Sequence, residues 1–106
     1  MSSEHITSST APEPVGAYPH ARKVGDLIFM SGVGPRQRGL KDIPGVILNQ
    51  TGNVIDHDIE VQTRAVIENV RTILVEAGSS LEKVVDVTVF LTDMENDFKI
   101  FNRVYA

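Results

Sequence analysis

The sequence predicts one small domain that mixes strands with helices, and three patterns carry that prediction. Ile59, Ala65, Val66, Val70, Ile73, Leu74 and Ala77 recur at three- and four-residue spacing, the stripe of an amphipathic helix. Residues 84–91, VVDVTVFL, set Val85, Val87, Val89 and Leu91 against Val84, Asp86, Thr88 and Phe90, the period of a strand with one strongly apolar face. Residues 27–31 are a compact apolar run between Gly25-Asp26 and Gly32, the second arm of a hairpin whose first arm covers residues 20–24. At 106 residues the chain has room for a single core. Folding at this size removes only about two-thirds of the chain's surface from water, so association into oligomers is a natural supplement.

In chain order, a short edge strand is expected near Ile6, followed by Pro12 and Pro14, which favour extended backbone and remove amide donors. The hairpin comes next. Residues 33–55 carry Gly34, Pro35, Gly39, Pro44, Gly45, Gly52 and Asn53, a density of turn formers that predicts a long functional loop. The main helix then starts with Asp56 or Asp58 accepting its first free amides and stops at Gly78. After the strand at 84–91, a second helix begins near Glu95 and places Phe98, Phe101, Val104 and Tyr105 on one side.

Composition narrows the function classes. Ten Lys and Arg against fourteen Asp and Glu give a net charge of -4, which argues against a general nucleic-acid binder, because phosphate contacts need clustered cations. With no cysteine there is no disulfide, thiolate nucleophile or Cys-ligated metal. No apolar run reaches the roughly 20 residues that span a bilayer, and the polar N-terminus lacks a signal-peptide core, so a cytoplasmic protein without membrane partners is expected. His5, His20 and His57 lack the spacing of zinc ligands, so no metal is expected. Ser31 lies outside any nucleophile-elbow pattern and reads as a structural hydroxyl. Asn69 and Asn102 sit in helices they do not favour, which gives each side chain a task; for Asn69 that task is read as holding polar backbone. The loop PRQRGLKD gathers Arg36, Arg38 and Lys41 on an otherwise acidic chain. A solvated loop is the simpler reading, and a receiver of anionic groups the functional one.

Several segments carry a family resemblance: GAYPHA at residues 16–21, LIFMSGVGP at 27–35, the Asn69 helix with its Ala77-Gly78 stop, and TVFLTDMENDFKIFNRVY at 88–105. Together they resemble the reactive intermediate deaminase (YjgF/UK114) family, from about Ala11 onward. The resemblance implies a chorismate-mutase-like α+β domain over residues 1–106, a mixed sheet with two helices on one face. It also implies a homotrimer whose sheets close into a central barrel and whose sites lie between subunits. The implied chemistry is hydrolysis of enamines and imines to a carbonyl compound and ammonia, with no cofactor.

Carried onto this sequence, the resemblance implies that Tyr18 lines the cleft, Ser31 and Gly32 present hydroxyl and backbone groups to the ligand, and Asn102 reaches the neighbouring site. The family's carboxylate-clamping arginine and water-positioning glutamate are expected beyond Ala106, together with two C-terminal strands absent from this chain. YPHAR at 18–22, SGVGPRQRG at 31–39 and the extended loop at 40–54 further resemble the subgroup that deaminates 2-aminomuconate, a dicarboxylate of aromatic-compound catabolism. On that reading Arg36 or Arg38 holds the second carboxylate, and His20, whose ordinary pKa is near neutrality, is a candidate acid or base. The other readings are a general enamine/imine deaminase and a non-catalytic trimer that binds small carboxylates or a partner.

Overall fold

The computed structural model describes residues 4–39 and 42–106. Strands β1 (Glu4–Ile6), β2 (Ala21–Val24) and β3 (Leu27–Met30) form one antiparallel sheet in the order β1-β2-β3, with β1 at an edge. Ala21 pairs with Met30 and Val24 with Leu27, so Gly25 and Asp26 alone turn the chain. This two-residue connection is the tightest a hairpin uses, and it fixes the β2–β3 register.

The expectation of one long loop over residues 33–55 does not hold. β4 (Val46–Leu48) and β5 (Val54–His57) pair antiparallel as a second, two-stranded sheet. The Asn49 side chain accepts hydrogen bonds from the Thr51 and Asn53 amides and so closes the turn between them. Gly39, Pro44 and Gly45 do stand in turns. They masked strands of three and four residues whose branched Val46, Ile47, Val54 and Ile55 suit extended backbone.

Helix α1 (Ile59–Glu76) starts on Asp58, whose carboxylate accepts from the Glu60 and Val61 amides at 3.0 and 3.2 Å. It ends in a Schellman arrangement. Ser79 N–H reaches the Leu74 carbonyl at 2.7 Å and Gly78 N–H reaches that of Val75 at 3.0 Å. Gly78 has φ of 84°, a left-handed conformation that a side chain would strain.

A 3-10 turn (Leu81–Lys83) follows, and residues 84–91 then run on without a ladder partner among the described residues. This corrects the expected strand. VVDVTVFL has the right period, but a strand also needs a neighbour to take its amides and carbonyls, and Val85 and Phe90 stand 88% and 91% exposed. Helix α2 (Met94–Tyr105) begins on Asp93, which accepts from Asn96 N–H, and packs against α1. Its covered stripe is Asp97, Ile100, Phe101 and Val104, shifted from the expected Phe98, Phe101, Val104 and Tyr105; Phe98 and Tyr105 are about half exposed. The Tyr105 ring stacks on Phe101, with centroids 5.3 Å apart.

Two sheets and two helices make a small α+β fold, as expected. The core lies where the three-stranded sheet meets α1. Ala11, Ala21 and Ile73 are buried there, with Ile6, Ile28, Met30 and Val33 packed around them.

Candidate functional site

The candidate site opens where the β2–β3 ladder ends. Beyond the Ala21–Met30 pair, Ser31 N–H donates to the His20 carbonyl at 3.1 Å, which holds His20 and Ser31 opposite one another. Pro12 to Pro14, Tyr18, residues 31–34, Arg36 and Ile73 close around them, leaving a small solvent-open cleft.

Each side chain has a defined state. Ser31 Oγ–H donates to the Pro19 carbonyl at 2.8 Å, so its proton is committed and its oxygen meets a ligand with lone pairs. Tyr18 N–H bonds the Gly16 carbonyl at 3.0 Å in a three-residue turn. A Cβ at Gly16 would lie 2.9 Å from the Tyr18 ring, so the absence of a side chain there lets the ring fold back against the turn and line the cleft. Gly32 lacks a positive φ, and a Cβ on it would meet nothing within 4 Å among the described residues. Neither backbone strain nor packing within the chain requires glycine at 32; what glycine provides is open space on the cleft edge.

His20 is buried, and both ring nitrogens are engaged. Nδ1 accepts from Ser8 N–H at 2.9 Å, and the Pro12 carbonyl lies 2.7 Å from Nε2, so the proton resides on Nε2. The expectation that His20 acts as acid or base is therefore corrected: the ring spans two backbone groups and offers no nitrogen to a ligand.

The two arginines divide. Arg36 lines the cleft and donates through Nη2 to the Glu13 carbonyl at 2.7 Å. Arg38 does not line it. Its Nε donates to the Ala11 carbonyl at 2.7 Å, its Nη2 to the Ser8 carbonyl at 2.9 Å and its Nη1 to the Glu13 carboxylate at 2.9 Å, which clamps residues 8–13 in place. Lys41 lies outside the described residues. From α1, Asn69 Nδ2 donates to the carbonyls of Gly34 and Arg36 at 2.9 and 2.7 Å, holding backbone as expected. Asn102 stands exposed on α2 and does not line this cleft.

The segment that walls the cleft is also tied to the end of α1. Hydrogen bonds with the Ser8 and Thr10 side chains and with Ser9 N–H hold the Glu76 carboxyl below the ordinary carboxylate range. Glu13 and Ile73 are cleft residues that sequence reasoning missed. The available signal for Glu13 was its place between two prolines, which stiffens the backbone and presents whatever side chain stands between them.

A wider groove lies between β4–β5 and the starts of the two helices, lined among others by Val46, Ile47, Ile59 and Ile100. There His57 Nε2 meets the Asp97 carboxylate at 2.6 Å. That hydrogen bond raises the imidazole above its ordinary 6.5, against the opposing effect of burial and with help from the charges of Asp97, Asp56 and Asp93. Among the described residues no cluster of His, Asp and Glu could hold a metal ion, and no helix is long and apolar enough to cross a membrane.

Comparison with known proteins places these features in a family. The profile described as Endoribonuclease L-PSP matches residues 8–106. A RutC family protein of Pyrococcus abyssi is 45% identical over 106 residues, covering 100% of this chain and 74% of its own. Reactive Intermediate Deaminase A, chloroplastic, of Arabidopsis thaliana is 35% identical over 103 residues, 97% of this chain and 49% of its own. The crystal structure of Escherichia coli TdcF with bound serine superposes with a TM-score of 0.79 at 33% identity, over 96% of this chain and 70% of that one. The chain belongs to the Endoribonuclease L-PSP family.

Proposed function

We propose that this chain hydrolyses enamines and imines to a carbonyl compound and ammonia, and that 2-aminomuconate is its substrate. The observation that supports this most is the meeting of three groups in one small cleft: the Arg36 guanidinium, the proton-committed Ser31 oxygen and the open Gly32 edge. Arg36 holds one substrate carboxylate in a charge-assisted contact. Ser31 Oγ accepts an N–H from the reacting nitrogen, and Tyr18 forms the wall along the conjugated chain. These are positioning tasks, and positioning supplies much of the rate in a reaction whose nucleophile is water.

The steps balance with water alone. The enamine moves a proton from nitrogen to carbon and becomes an imine. Water then adds to the imine carbon, forming the C–O bond as the C=N pair shifts to nitrogen, and the carbinolamine expels ammonia as the carbonyl closes. Two relatives support the reading: the Arabidopsis protein is named a reactive intermediate deaminase, and TdcF was solved with serine, a ligand carrying both an amine and a carboxylate. The family's description points instead to RNA cleavage. The net charge of -4 and a cleft lined, among the described residues, by Arg36 as its single Lys or Arg offer no cationic track for a phosphate backbone.

Assembly as a homotrimer belongs to the same proposal. Exposed Phe29, Val85 and Phe90 form apolar surface of the kind that copies of a chain cover, and light scattering should return three times 11.6 kDa. The activity itself is tested by incubating the protein with 2-aminomuconate and measuring ammonia against the loss of substrate absorbance. Stoichiometric ammonia above the uncatalysed background supports the reading. Binding without ammonia release would identify a carboxylate-binding protein instead.

A further inference from the structure

Both arginines singled out as carboxylate receivers have one bonding partner in common, Glu13. Its main-chain carbonyl takes Arg36 Nη2 at 2.7 Å and its carboxylate takes Arg38 Nη1 at 2.9 Å. Glu13 also lines the cleft, between Pro12 and Pro14. We propose that the Glu13 carboxylate is a built-in competitor: it occupies, at Arg38 Nη1, an anion subsite just outside the cleft lining that the distal carboxylate of a dicarboxylate ligand takes over on binding. This rests on the carboxylate-binding reading of the cleft.

The contacts of Arg38 are unequal. Its bonds to the Ser8 and Ala11 carbonyls are partly buried, whereas the Glu13 side chain is 75% exposed. An exposed ion pair is the weakest of the three and exchanges most readily with another anion. The arginine keeps its position when that exchange occurs, because Nε and Nη2 remain on main-chain carbonyls.

The strap that carries Glu13 also stays. Arg36 holds the Glu13 carbonyl, His20 holds Pro12, Arg38 holds Ala11, and Glu76 holds Ser9 and Thr10. Exchange therefore moves only the Glu13 side chain, which swings into solvent while the backbone is fixed by prolines on either side. A monocarboxylate satisfied at Arg36 leaves the pair intact. Only a ligand with a second carboxylate must displace Glu13, so this residue sets the preference between the two ligand classes.

The test uses two stable ligands with the same six-carbon diene: trans,trans-muconate, with two carboxylates, and sorbate, in which one is replaced by methyl. Each is titrated calorimetrically into the wild-type chain, Glu13→Gln and Arg36→Ala. Glu13→Gln keeps the main-chain carbonyl and side-chain length and removes the competing charge. It should bind muconate about two- to fivefold more tightly than wild type, the range of an exposed pair, and bind sorbate equally. In wild type, muconate but not sorbate should shift the Glu13 carboxyl carbon in NMR spectra.

Unchanged or weaker muconate binding by Glu13→Gln overturns the proposal, as does equal tightening for both ligands. If Arg36→Ala weakens both ligands while Glu13→Gln changes neither, the competitor role falls and the carboxylate reading of the cleft stands. If Arg36→Ala changes neither, or wild type binds neither ligand, that reading fails and the competitor role fails with it.

Discussion

The Asn69 side-chain amide donates to the main-chain carbonyl of Arg36 at 2.7 Å, and its second bond reaches Gly34 at 2.9 Å, so one helix residue holds the loop that brings Arg36 to the cleft. Asn69→Ala leaves both carbonyls without that partner and should cost about 1–3 kcal/mol of stability. Asn69→Asp has almost the same shape but faces two carbonyls with acceptors in place of donors. It should be the more damaging of the two, both in urea unfolding and in muconate affinity. An Asp variant more stable than the Ala variant would contradict this account of the clamp.

Gly32→Ala should separate binding from folding. With no left-handed φ and no atom of the described residues within 4 Å of the added carbon, the substitution should leave stability unchanged or raise it by up to about 1 kcal/mol, through the unfolded chain. Ligand affinity should fall, because the methyl enters the space that glycine keeps open. Thermal unfolding and muconate titration on the same sample decide it, and loss of stability without loss of binding would sink the idea.

Ile73 is 2% exposed in the core and also reaches the cleft, so truncation there acts on both. Ile73→Ala should cost about 2–5 kcal/mol and Ile73→Val about 0.5–1.5 kcal/mol, measured by urea unfolding. Equal costs for the two would mean that the site collapses around the gap.

The His57–Asp97 pair predicts a definite pH dependence. The folded imidazole sits above the ordinary 6.5, so the stability it contributes is complete below that value and is lost as pH rises through the raised folded value. The difference in unfolding free energy between wild type and His57→Gln should therefore be largest below the ordinary 6.5 and shrink as pH rises through the raised folded value. A difference that grows toward alkaline pH would show that the pair stabilises the fold in some other way.

What could be read from the sequence follows the range of each interaction. The β2–β3 hairpin, the Asp58 cap and the Gly78 stop are local, set by neighbours within a few positions, and were legible. The grouping of Tyr18, Ser31 and Gly32 came through the family resemblance and not from spacing. Arg38 was legible as a cation but not as a clamp, since its partners Ser8 and Ala11 lie far back in the chain. His20 was hidden for the same reason: no periodicity reveals that its ring lies between Ser8 and Pro12. Residues 84–91 show the converse, a period strong enough to read as a strand without a partner to complete the ladder.

The most direct test of the central claim compares ammonia release from 2-aminomuconate and from a monocarboxylate enamine by the wild-type chain and by Arg36→Ala. The account predicts turnover of both substrates by wild type and a rise in KM for both in the variant, because Arg36 meets the carboxylate the two substrates share. Turnover that is indifferent to Arg36, or no ammonia from either substrate, would contradict it.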